Sequence, residues 1–92
     1  MIGDKVMTDL TKADLKVGKI YAAKRPNKIY IGFDEYWNDR QIIYISDHSV
    51  QYDGPSVAFG RNYPTVSIEK FLKWAKDDVT AQVKDGEWRR AE

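Results

Sequence analysis

The sequence predicts a small α+β domain, mainly β, in which an antiparallel meander of four to five strands is packed by one C-terminal amphipathic helix. Three observations predict it. From Lys28 to Ser46 apolar and polar residues alternate, then give way to the unbroken run Ile42, Ile43, Tyr44, Ile45. Ile68, Phe71, Leu72, Ala75 and Val79 recur at helical spacing behind Ser67, a residue suited to capping a helix N-terminus. Turn-forming clusters at Arg25-Pro26-Asn27, Asn38-Asp39, Asp47-His48 and Asp53-Gly54-Pro55 punctuate the short runs between them.

Ninety-two residues are read as one domain, 1–92, with a frayed tail over 1–10 and a polar tail over 86–92. A chain of this size buries roughly 60–65% of the surface its unfolded form exposes, so its core is modest. Without cysteine it has no disulfide, no thiolate metal site and no Cys nucleophile, which suits a reducing compartment. No run of eighteen apolar residues suggests a membrane span, and the first residues lack the apolar stretch of a signal peptide. The expectation is a cytoplasmic protein.

Along the chain, Thr11 followed by Asp14 has capping-box spacing and predicts one short helical turn. Val17-Gly18 ends it and leads into a first strand over Lys19–Lys24, with Ile20 and Ala22 on one face and Tyr21 and Ala23 on the other. A hairpin over Lys28–Ser46 follows, turning at Asn38-Asp39. In its first arm Ile29, Ile31 and Phe33 point one way and Tyr30, Asp34 and Tyr36 the other, with Gly32 marking a bulge or a close backbone neighbour. Its second arm, Arg40–Ser46, reads as a central strand buried on both faces. Ser49–Asp53 and Thr65-Val66 add short strands, while 56–64 follows no pattern. The helix is expected from Ile68 to about Val79, fraying through Val83. In outline this layout is similar to small SH3-like barrels and half-barrels, a likeness of fold that carries no function.

The chemistry-bearing residues form no catalytic set. His48 is the only histidine, and its neighbours Asp47 and Ser49 sit beside it in a turn, where adjacent side chains diverge instead of converging as a triad does. One His offers too few donors for a metal site. Asp34, Glu35, Asp39, Asp47 and Asp53 lack the spacing of a calcium loop and read as a solvated acidic rim. Gly54 and Gly60 are isolated and form no phosphate-cradling loop. No enzyme, cofactor or metal is expected.

Three Phe, three Trp and six Tyr exceed what so small a core needs. The helix can cover only one face of a sheet, so Tyr30, Tyr36, Trp37 and Tyr52 are the candidate binding face, for a protein partner or a second copy of the chain. Charge is segregated: residues 1–30 carry seven Lys/Arg against three Asp, net +4, and residues 31–60 one Arg against five acids, net −4. Opposed segments of that kind suit homo-oligomerisation. Two alternatives follow from the same residues. A nucleic-acid-binding small β-barrel would use Lys19, Lys24, Arg25, Lys28 and Arg61 beside the tyrosines, although a net charge of +1 argues against it. A small-ligand pocket between helix and sheet is the other.

Overall fold

The computed structural model describes residues 10–57, 60, 62–84 and 86–91. The frayed stretch expected over 1–10 therefore lies outside the described residues except for Leu10, which packs half-buried against the core. A 3-10 turn over Lys12–Asp14 precedes strands β1 (Ile20–Ala23), β2 (Lys28–Ile31), β3 (Asp34–Trp37), β4 (Arg40–Ile45), β5 (Ser49–Asp53) and β6 (Thr65–Ser67). Helix α1 (Ile68–Trp74), strand β7 (Ala75–Asp78) and a 3-10 turn over Thr80–Gln82 complete the order. The fold is α+β and mainly β, as the sequence implies. Its main sheet is antiparallel, runs β6-β5-β4-β1-β7, and is open, not a closed barrel; β2 and β3 form a second, smaller sheet.

The expected hairpin over Lys28–Ser46 is two structures instead. Its first arm is itself a tight hairpin, with Ile31 paired to Asp34 and Gly32-Phe33 as the loop. Gly32 takes φ +63° while among the described residues no type other than glycine has a positive φ, the pattern of a type II′ turn with glycine at its first corner. Space around it is open, so Gly32 marks neither a bulge nor a close neighbour. Phe33 consequently sits at the hairpin tip, wholly exposed, and Ile31 is half exposed, so neither joins the core. Asn38-Asp39 is no hairpin turn but the link by which the chain crosses from one sheet to the other.

Strand β4 is central, as expected, but not buried on both faces. Ile42 is fully buried, Tyr44 is exposed, and Ile43 is the extra residue of a bulge between the Ile42–Tyr52 and Tyr44–Gln51 pairs. The strand buried on both faces is β1. Tyr21 looks into a cluster with Leu15, Ile42, Val50, Tyr52, Ile68, Phe71 and Ala75 on the helix side. Ile20 and Ala22 look the other way, onto Val79, with Val83 and Trp88 packed alongside. The Tyr21 hydroxyl donates to the Asp14 carbonyl at 2.6 Å and accepts from the Lys16 N–H at 3.1 Å, tying down the N-terminal turn. Burial holds this phenol above its usual pKa. The turn has its capping box, the Asp14 carboxylate accepting from the Thr11 N–H at 2.8 Å.

Helix α1 starts where expected, with the Ser67 hydroxyl accepting from the Lys70 N–H at 3.1 Å. It buries Ile68 and Phe71; Phe71 is met edge-on by Tyr21, ring centroids 5.6 Å apart, and is flanked by Tyr52 and Trp74. It ends at Trp74, five residues before Val79. The next residues form β7 along the open edge of β1, with Tyr21 opposite Asp78 and Ala22 opposite Asp77. Asp77, Asp78, Val79 and Thr80 are weak helix formers, and the edge offers their backbone stronger company. The Val79 N–H donates to the Ile20 carbonyl at 2.8 Å, and the Ile20 N–H to the Thr80 hydroxyl at 2.8 Å. Ala75 and Val79 thus serve opposite faces of the sheet, not one helical stripe.

Two predictions follow from this packing. A Cβ built on Gly54 runs into the backbone carbonyl oxygen of Asp39, which has no flexible side chain's freedom to move aside. Gly54→Ala should cost about 1–3 kcal/mol in urea denaturation. The second concerns Asp78. Burial pushes its carboxyl up, but the hydroxyl and N–H of Thr80 and the Lys19 ammonium at 3.4 Å outweigh this and hold it below its ordinary 3.8. A depressed folded pKa stabilises fully above the unfolded value and loses that contribution as pH falls through the folded one. Asp78→Asn should therefore flatten the stability–pH curve below about pH 4 and leave its shape near neutrality unchanged.

Candidate functional site

The small sheet gathers most of the aromatic set. Its pairs are Lys28–Trp37, Ile29–Tyr36, Tyr30–Glu35 and Ile31–Asp34. Because opposite residues share a face, Lys28, Trp37, Tyr30 and Glu35 lie on one side, and Ile29, Tyr36, Ile31 and Asp34 on the other. At its base the Asn38 N–H donates to the Asn27 carbonyl at 3.0 Å and the Asn27 N–H to the Asn38 side chain at 2.9 Å, closing the ribbon.

The C-terminal segment, read from sequence as a polar tail, lies along β3, joined to it through an isolated antiparallel bridge. Trp37 donates its N–H to the Arg89 carbonyl at 3.1 Å, Ala91 donates to the Glu35 carbonyl at 3.0 Å, and Tyr36 bridges Arg90. Adjacent residues of an extended strand point to opposite faces, and each arginine uses its own. Arg90 reaches the Asp34 carboxylate at 2.6 Å beside the Tyr36 ring. Arg89 passes the Trp37 ring and grips Asp39 with two bonds, Nε to Oδ2 at 3.0 Å and Nη2 to Oδ1 at 2.9 Å. Asp39 is the one fully buried charge among the described residues.

The predicted binding residues are therefore divided. Tyr30 is exposed on β2, whereas Tyr36 and Trp37 are half-buried under the two arginines. Tyr52 belongs to β5 and the main core, apart from the other three. Of the basic strip, Lys19 is paired with Asp78 and Lys28 with Glu35 at 3.5 Å. Lys24 and Arg25 are exposed, and Lys24 borders a 220 Å³ cleft with Trp37, Lys76 and Arg89. Arg61 lies outside the described residues. The space between α1 and the sheet is filled by Phe71, Tyr21 and Tyr52, while clefts of 490 and 320 Å³ border the C-terminal segment instead.

What remains open is the far end and outer edge of the small sheet. Tyr30, Ile31 and Phe33 are three large apolar side chains exposed within four residues. Among the described residues strand β2 pairs with β3 alone, and none of them lies as a strand along its other edge. Since β3 bonds the tail through Trp37 and Glu35, its Tyr36 and Asp34 bond inward to Ile29 and Ile31. The N–H and C=O groups of Lys28 and Tyr30 point away from β3 and have no backbone partner among the described residues.

Sequence reasoning missed Asp39, Arg89, Arg90 and the tip. Gly32 followed by Phe33 between two strand-forming runs was the available signal for the turn. The ion pairs join residues 50 and more apart and left none.

Among the described residues no group of three or more His, Cys, Asp or Glu could hold a metal ion, and no helix is long and apolar enough to cross a membrane. His48 is exposed at a turn and contributes its carbonyl to Ile68, and the Ser49 hydroxyl meets that of Ser46 at 3.0 Å. Comparison with family models, curated proteins and solved structures finds no match to this chain.

Replacing Arg89 tests the clasp. Arg89→Met strands a buried carboxylate and should cost about 3–5 kcal/mol. Hydrogen exchange at the Trp37 and Ala91 amides should accelerate in step.

Proposed function

We propose that the chain is a non-catalytic protein-interaction module, and that the partner best suited to it is a second copy of itself, joined along β2. The observation that carries this reading is the exposed edge with Tyr30, Ile31 and Phe33 at its end. An unpaired strand edge is a template for another strand, and β-augmentation uses its outward N–H and C=O groups. Antiparallel pairing centred on Tyr30 is self-complementary. It sets Ile29 of each copy against Ile31 of the other, two apolar cross-strand pairs of the kind that stabilise sheets. A two-fold contact made of one patch used twice is the commonest form of homodimer. The opposed charges of residues 1–30 and 31–60 support encounter between copies.

The nucleic-acid reading has less behind it. Lys19 and Lys28 are taken up by carboxylates, and Tyr36 and Tyr52 offer no free ring for a base to stack on.

Four residues of edge make a small interface, so association should be weak and concentration-dependent. Light scattering on a size-exclusion column should show the mass rising from one chain toward two as loading is raised into the millimolar range. Ile31→Lys puts a charge on the edge at a half-exposed position. It should leave the fold intact and weaken association about tenfold or more. A strict monomer at every concentration would sink the self-association reading.

A further inference from the structure

Arg40 differs from the arginines of the C-terminal segment. Arg89 and Arg90 each bind a carboxylate. The Arg40 guanidinium, at the start of β4, has its carbon 4.3 Å from the Tyr52 ring and 4.1 Å from the Trp74 ring, with no hydrogen bond or ion pair to any other residue in the described structure. None of its nitrogens is sealed from water, since no buried side-chain nitrogen among the described residues lacks a partner. Two aromatic rings therefore hold a half-buried cation by its π surface while its N–H donors open outward.

Packing alone does not account for this arrangement. Covering the outside of Tyr52 and Trp74 could be done by an apolar side chain, without desolvating a charge. Burial here lowers the arginine's pKa, and among its neighbours only the Tyr52 hydroxyl opposes that shift; no carboxylate does. A partly desolvated cation with no counter-charge is a site whose energy improves when an anion arrives. Both flanking groups are also fixed. Tyr52 is buried in the core against Phe71, and Trp74 closes α1, its carbonyl taken by the Lys24 N–H at 2.8 Å. Rigid flanks keep the guanidinium fork pre-organised, so little side-chain freedom is lost on binding.

We infer that Arg40, held against Tyr52 and Trp74, is an oxyanion-binding site that takes two oxygens side by side, as a carboxylate or a phosphate group presents them. Such a group meets the fork with two parallel charge-assisted hydrogen bonds. The site lies on the helix side of the main sheet and does not depend on how β2 is used.

The side-chain Nε–H signals of the arginines in nitrogen-15 NMR read the site directly. The folded chain is titrated separately with inorganic phosphate and with acetate, chloride being exchanged to hold ionic strength constant. The Arg40 signal should shift saturably together with the Trp74 indole, while Arg89, engaged by Asp39, stays in place. Saturation by phosphate alone assigns a phosphate source, and saturation by acetate a carboxylate one. Arg40→Lys keeps the charge but loses the fork, and should weaken binding at least about fivefold. Movement of Arg40 no greater than that of exposed Arg25 in both titrations overturns the inference without recourse to any variant. So does equal affinity in Arg40→Lys, because charge alone would then suffice.

Discussion

The two-bond pair between Asp39 and Arg89 is the constraint on which the arrangement of the two sheets depends. Asp39 stands where the chain leaves β3 for β4, so its position sets how the small sheet meets the large one. Its carboxylate is fully buried and its backbone carbonyl lies against Gly54. Arg89 answers from the far end of the sequence and, in doing so, seats the tail along β3. A buried pair of this kind contributes little over an apolar pair of similar volume, but losing one partner is costly. Its effect is to make any placement of the tail that leaves Asp39 without a cation expensive.

The same logic explains why β1 can be buried on both sides in so short a chain. One helix cannot cover two faces of a sheet. Tyr21 is received by the helix side, and Ile20 with Ala22 by Val79, Val83 and Trp88. Trp88 reaches that position because Arg89 is anchored next to it. The second core thus rests on an electrostatic fixture and not on a second helix. Shortening α1 to seven residues serves the same end, since it releases Ala75–Asp78 to pair with β1 and delivers Val79 to the tail side.

How far the sequence could be read follows from the range of the interactions involved. Elements decided by nearest neighbours were legible: the Thr11–Asp14 box, the Ser67 cap, the Asp47-His48 turn, the β5 and β6 strands and the central place of β4. The helix end was not, because helical spacing of Ala75 and Val79 is equally compatible with an extended segment that serves two faces, and only the open edge of β1 decides between them. The Ile29-Ile31-Phe33 alternation misled for a related reason. Period-two patterning identifies a strand but not a reversal within it, and the reversal at Gly32-Phe33 places Phe33 in water. Within the candidate site, the alternation put Tyr30 and Tyr36 on one face, and the reversal at Gly32-Phe33 puts them on opposite faces. The covering of Tyr36 and Trp37 by Arg90 and Arg89 depends on contacts across more than fifty residues, which local pattern does not record.

The tail's place beside β3 also has a consequence for the timing of folding. Synthesis delivers a chain from its N-terminus, and segments rich in local contacts can form as they emerge. Here the ribbon of β2 and β3 can close early through Asn27 and Asn38, and α1 can seat on β5 soon after it is made. The Asp39 carboxylate, however, waits through fifty further residues for its cation, and the faces of Tyr36 and Trp37 wait with it. Until Arg89 leaves the ribosome the nascent domain carries a carboxylate with no interior partner, together with an unfinished second core. During that interval the outer edge of β3 has no partner, and it gains one when Arg89 and Ala91 pair with Trp37 and Glu35.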